Sequence, residues 1–295
     1  MSENAAPIVV GVNGSFVALH AACWAGALAG RLGAPLHILT ATPYLGHNPS
    51  DAALAIRAAS TAEHRESADL ILAATKEAVH KEHPELAVTT AADDDPADES
   101  FGAASRSARL LVLGCDEVTP AGAVLVGSTT LATLARAACP TVAWRGDKLA
   151  PTDQPIVVGV DGSTADGGAL GTAFELADLL AAPLRAVHSW SHVRPPDVTV
   201  PLLIDWEAVE AEQWRHLNQL VDPWRARYPD VKVTLVCGPA KASHALLAHA
   251  DDAQLVVVGS RRRNALARGL FCSTSLNLLH HCTVPVVLCP FTAQD

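Results

Sequence analysis

The chain has 295 residues and a formal net charge of −10. Residues 1–150 carry 10 Lys and Arg against 16 Asp and Glu, and residues 151–295 carry 11 against 15. With no basic half, general nucleic-acid binding is not expected. Apolar runs stay too short for a membrane span. The polar, acidic start at Met1 does not read as a signal peptide, so a cytoplasmic location is expected.

The first predicted element is a strand over Ile8–Val12. It lies in the stretch Pro7-Ile-Val-Val-Gly-Val-Asn-Gly-Ser15, which returns at position 155 as Pro-Ile-Val-Val-Gly-Val-Asp-Gly-Ser163. The two differ only at Asn13 against Asp161. Ala34-Pro35-Leu36 likewise returns as Ala182-Pro183-Leu184, so the chain is an internal duplication, expected as domains over 1–148 and 155–295. The linker at 146–154 is short and polar.

Further strands are predicted in the first half at Leu36–Thr42, Leu86–Thr90, Leu110–Gly114 and Thr141–Trp144. The second half has them at Ile156–Val160, Leu184–Trp190, Val231–Val236, Leu255–Gly259 and Val284–Leu288. These runs are rich in Val, Ile and Leu without strict alternation, as befits strands covered on both faces. Long helices fill the gaps at Ala53–Glu82 and Glu207–Arg227. A shorter one at Ala169–Leu180 carries apolar residues at helical spacing. Asp95-Pro96 and Gly238-Pro239 each place a cap before a proline at a predicted first helical position. Asp93, Asp94, Asp95 and Asp98 read as acidic residues at a helix N-terminus rather than as a metal site. The repeated β-α alternation predicts an α/β fold: two tandem doubly wound five-stranded parallel-sheet domains, with an antiparallel last strand left open.

Seven cysteines occur without a C-x-x-C pair, mostly in apolar segments, and free thiols are expected. Thirteen histidines include His280-His281-Cys282, but successive helical residues diverge by about 100°. No metal is expected.

In doubly wound sheets, ligands bind at the carboxyl ends of strands where strand order reverses. The loops after strand one and strand four of each half are therefore the candidates. A loop running into a helix N-terminus offers backbone N–H groups to an anion. Val-Gly-Val-Asp-Gly-Ser163, Val-Val-Val-Gly-Ser260 and the short final strand resemble the universal stress protein family, and the duplication resembles its tandem members. The resemblance spans the whole chain, once per half. It implies the adenine-nucleotide α-hydrolase-like fold and a regulatory binding role in stress response. In nucleotide-binding members the fourth-strand loop reads G-x-x-G, nine residues, then G-S or G-T, and the strand-one Asp joins the same site.

Carried over residue by residue, the first half offers Gly114, Gly127 and Ser128, with Glu117 at the second glycine and Asn13 at the aspartate. The second half offers Asp161, Gly259 and Ser273, with Arg262 at the second glycine and Cys272 at the third. Glu117 beside a triphosphate costs on the order of 1–4 kcal/mol. Arg261, Arg262, Arg263 and Arg268 make the second loop positive and suited to phosphate. The resemblance thus implies ATP as cofactor, weak or absent, favouring the second half. The alternative is a nucleotide-free dimeric interaction module whose phosphate loops have degenerated. The family pairs modules through the final strand, so Thr141–Trp144 and Val284–Leu288 are expected to pack together as an intramolecular pseudo-dimer. The apolar stretch Val198–Trp206 leaves a homodimer open.

Neither a G-x-G-x-x-G after a first strand nor a G-x-S-x-G elbow occurs, so the chain does not read as an enzyme.

Overall fold

In the computed structural model, the described residues are 6–41, 51–115, 127–161, 167–190, 205–260 and 273–290, with side chains at 51–62, 128, 167 and 260 excluded. Two compact units divide the chain, Met1–Pro151 and Thr152–Asp295.

The first unit runs β1 (Ile8–Gly11), α1 (Phe16–Leu32), β2 (Leu36–Ala41), α2 (Asp51–Glu82), β3 (Val88–Asp93), α3 (Ala97–Ala104), β4 (Leu110–Gly114), α4 (Ser128–Arg136) and β5 (Thr141–Trp144). Its strands lie in the order β3-β2-β1-β4-β5, and every pairing is parallel. The second unit runs β6 (Ile156–Val160), α5 (Gly167–Leu179), β7 (Leu184–Trp190), α6 (Trp206–Arg227), β8 (Val233–Pro239), α7 (Ala242–Ala248), β9 (Leu255–Ser260), α8 (Ser273–His281) and β10 (Val286–Pro290). Its order is β8-β7-β6-β9-β10, again all parallel. Within each unit the last strand is parallel to its neighbour, β5 to β4 and β10 to β9.

The central strands are buried throughout, as their unbroken apolar runs require. Ile8, Val10, Leu111, Val112 and Val142 are fully buried in the first unit, and Ile156, Val157, Val158, Val256 and Val286 in the second. Gly11 sits where a Cβ would come within 2.7 Å of both Leu113 and Phe101, so β1 needs glycine for α3 to pack. In the second unit Trp224 of α6 lies across α5, stacked on Phe174 with ring centroids 6.1 Å apart. A Cβ on Gly171 would meet that indole at 2.7 Å.

Three predicted strands shift by two or more residues. The third strands start later and end later, at Val88–Asp93 and Val233–Pro239. Leu86 and Val231 lie in the turns before them, where Leu86 N–H donates to His83 and Val231 N–H to Tyr228. The last strand is likewise Val286–Pro290 rather than Val284–Leu288. Both proline caps are corrected too. Pro96 is itself the N-cap of α3, and Pro239 ends β8 while Lys241 caps α7. β8 pairs on one side only, so a proline at its end leaves no ladder bond unmade.

Three acidic residues after β3 are ion-paired. Asp94 meets Arg65 of α2, while Arg136 of α4 reaches Asp98 at 3.0 Å and Glu99 at 3.5 Å. Asp98 and Glu99 also lie in the first turn of α3, where the helix dipole favours them.

Candidate functional site

In each unit the chain steps outward from the central strand in one direction and then crosses to its other side. The reversal falls between β1 and β4, and between β6 and β9. The loops singled out by sequence are the ones at this switch point, where ligands bind in such sheets.

In the first unit β1 pairs with β4 up to Gly11↔Leu113, so Asn13, just beyond β1, and Gly114, the last residue of β4, lie at the same edge of the sheet. Asn13 and Ser15 shape the turn into α1. The Ser15 N–H donates to Asn13 Oδ1 at 3.1 Å, and Ser15 Oγ accepts from the Ala18 N–H at 3.2 Å as the N-cap. Gly14 between them has φ of +81°, a conformation that glycine takes without strain. Gly114 is held to glycine by packing. A Cβ there would sit 3.0 Å from Ala18 N and from the carbonyl carbon and oxygen of Val17. The first turn of α1 therefore rests directly on the end of β4. Cys115 follows, buried, with its N–H on the Trp144 carbonyl at 2.9 Å. Gly127 is the N-cap of α4 with φ of −59°, and Ser128 is the first residue of that helix rather than its cap. Glu117 lies outside the described residues.

In the second unit Asp161 directly follows β6 and is exposed. Gly259 lies on β9 in register with Cys289 of β10. Ser273 opens α8. Arg261, Arg262, Arg263, Arg268 and Cys272 lie outside the described residues. The β6–β9 pairing runs from Ile156↔Leu255 to Val158↔Val257, one step shorter than its counterpart in the first unit.

Sequence reasoning missed a polar cluster behind Asp161. His188 of β7 is buried, with Nδ1 2.8 Å from the Val160 carbonyl and Nε2 3.0 Å from the Gln213 side chain on α6. The His216 ring lies edge-on to it, with centroids 6.4 Å apart. Cys237 of β8 is its cross-strand partner, and burial, then the charge of Glu210, pushes that thiol's pKa up. Trp190, two residues beyond His188, stacks on Trp206 at 6.4 Å. The signal that points here is a comparison of the halves, because the residue 148 positions before His188 is Thr40.

Among the described residues, no group of three or more His, Cys, Asp or Glu is placed to hold a metal ion. No helix among them is long and apolar enough to cross a membrane.

The model of the universal stress protein family matches residues 5–145 and again 154–290. Universal stress protein Rv2005c of Mycobacterium tuberculosis is 31% identical over 299 residues, covering 95% of this chain and 96% of that protein. Universal stress protein Rv2623 of the same organism is 35% identical over 187 residues, 62% of each chain. Among solved structures, a universal stress protein from Archaeoglobus fulgidus superposes with a TM-score of 0.69 at 18% identity, covering 99% of this chain and 100% of that one. That likeness carries the fold alone. The two matched segments hold the two repeats found in the sequence, and the chain belongs to the universal stress protein family as a tandem member.

Proposed function

We propose that this chain acts in stress response by binding and regulation, without turnover, in the cytoplasm, and that its second unit takes an adenine nucleotide in preference to the first. The observation that carries this reading is the contrast at the switch point. In the first unit the residue after strand one is a neutral amide, Asn13. In the second unit the same position is an exposed carboxylate, Asp161, at the end of β6. The loop charges agree, with Arg261, Arg262, Arg263 and Arg268 after β9 and Glu117 after β4.

Calorimetry with ATP tests the reading. Asp161→Ala is expected to weaken binding about tenfold, about 1.4 kcal/mol, whereas Asn13→Ala changes it little. Restoring glycine at both 262 and 272 tightens the second site. Silence of both the wild type and the double-glycine variant overturns the reading, as does a stronger site on the Glu117 loop.

A second reading is a nucleotide-free dimeric interaction module. It is favoured by the first unit, where Asn13 and Gly114 have roles in the fold that need no ligand. Chromatography of the supernatant after denaturing the purified protein separates the two. Released adenine nucleotide supports the first reading, and its absence together with a dimer in sedimentation supports the second.

A further inference from the structure

His188 stands where the first unit has Thr40. In β7 it lies in register with Val160, the last residue of β6. The residue is only 5% exposed. Nδ1 is 2.8 Å from the Val160 carbonyl oxygen. A carbonyl only accepts, so Nδ1 must carry a proton. Nε2 meets the Gln213 amide at 3.0 Å. That contact forms in two ways: the amide NH2 donates to a neutral ring, or an imidazolium donates to the amide oxygen. In both, Nδ1–H stays on Val160.

The Val160 carbonyl and the Asp161 N–H belong to one planar peptide unit. Fixing that carbonyl fixes the plane from which Asp161 leaves the sheet. The β9 side lets go early here, since β6 pairs with β9 only to Val158 whereas β1 pairs with β4 to Gly11, and the β7 side carries the strand end instead, to Val160↔His188 where β1 and β2 stop at Gly11↔Leu39. The first unit has Thr40 in the place of His188. Among the described residues, His216 of α6 lies edge-on to the ring and Cys237 of β8 is its cross-strand partner, with the charge of Glu210 reaching Cys237.

We infer that His188 is a positioning residue for the second unit's switch-point site: its Nδ1–H fixes the peptide that carries Asp161, and Gln213 fixes the ring, so that α6 is tied to the site. The consequence for ligand affinity rests on the nucleotide reading above; the consequence for Asp161 does not.

The test uses the full chain and three variants, His188→Asn, His188→Leu and Asp161→Ala. Asparagine keeps a short N–H donor toward Val160, and leucine keeps volume without one. Long-range 1H–15N spectra of the wild type should show Nδ1 protonated. The 15N order parameter of the Asp161 amide should fall in His188→Leu from about 0.85 towards about 0.6 and hold in His188→Asn. ATP affinity should fall about tenfold in His188→Leu, with little further loss when Asp161→Ala is added, because the two changes act through one contact. A neutral ring protonated at Nε2 overturns the inference. So does an unchanged Asp161 order parameter in His188→Leu, or fully additive losses in the double variant. If wild type takes up no ATP, the nucleotide reading fails, and the ring spectrum and order parameters alone decide for or against His188. If His188→Leu does not fold, the wild-type ring spectrum and His188→Asn decide.

Discussion

Gly114 and Gly127 both occupy glycine positions of the nucleotide-loop pattern, yet the fold treats them differently, and alanine at each should show it. At Gly114 an added Cβ lands 3.0 Å from three backbone atoms of Val17 and Ala18, which cannot swing aside as a side chain end can. Either β4 or the first turn of α1 must shift, an overpacking cost of about 1–3 kcal/mol. Alanine also narrows the unfolded ensemble, which returns about 0.4–1 kcal/mol. The net loss is about 1–2 kcal/mol, or roughly 2–8 °C in the melting of a unit of this size. At Gly127 the φ of −59° suits alanine, and among the described residues no atom lies within 4 Å of the added Cβ. There the small penalty for alanine at an N-cap and the gain from the unfolded state roughly cancel. Urea and thermal unfolding of the full chain, followed through tryptophan fluorescence, reads both variants. Trp144, paired with Gly114 across β4 and β5, reports the first unit from its core. Equal destabilisation by the two substitutions, or none at Gly114, would refute the claim that packing of α1 on β4 dictates that glycine.

Other outcomes follow from contacts in the units. Arg185 holds Asp252 by two bonds of 2.7 and 2.9 Å, and the first of its effects, the hydrogen bond, keeps that carboxyl below its ordinary value of 3.8. A depressed carboxyl stabilises the folded state in full above its unfolded value and less as pH falls through the folded one. Asp252→Asn should therefore lower stability at neutral pH and flatten the loss below about pH 4, seen in melting curves across pH. Cys139 is buried, and burial pushes its thiol up to about 11. Brief alkylation at pH 8 followed by mass spectrometry should leave Cys139 unlabelled until the protein is unfolded. Gly171→Ala should cost about 1–3 kcal/mol by driving the Trp224 indole off Phe174, visible as a red shift of tryptophan emission.

The parallel sheets and the switch-point loops were legible because the duplication repeats them. A pattern seen twice at one spacing separates Val-Gly-Val-Asn-Gly from chance. The third strands were harder. Val88–Asp93 is half exposed and ends on Ala92 and Asp93, which carry no hydrophobic signal, and its limits come from pairing with β2 out to Ala41↔Asp93. Leu86 and Val231 drew the reading forward because they are apolar, although both belong to turns. Within the site, the identity of Gly114 could be read from the motif but not its reason, since the backbone it touches belongs to α1, about a hundred residues earlier in the chain. His188 went unread because its partners, Val160 and Gln213, lie 28 and 25 positions away on other elements. Arg262, Glu117 and Cys272 fall outside the described residues, so their part in the site stays with the sequence pattern.

The turn at Asn13 also sets a polarity. Because the Ser15 N–H takes the side-chain oxygen, the remaining terminal atom of Asn13 is a nitrogen with two hydrogens to give. A carboxylate at the equivalent place, Asp161, has only lone pairs to offer. At this one position two turns built from nearly the same nine residues therefore differ in polarity, an amide that can donate in the first unit and a carboxylate that only accepts in the second. One edit, oxygen for nitrogen, lets a doubled chain keep two copies of a sequence without keeping two copies of its polarity.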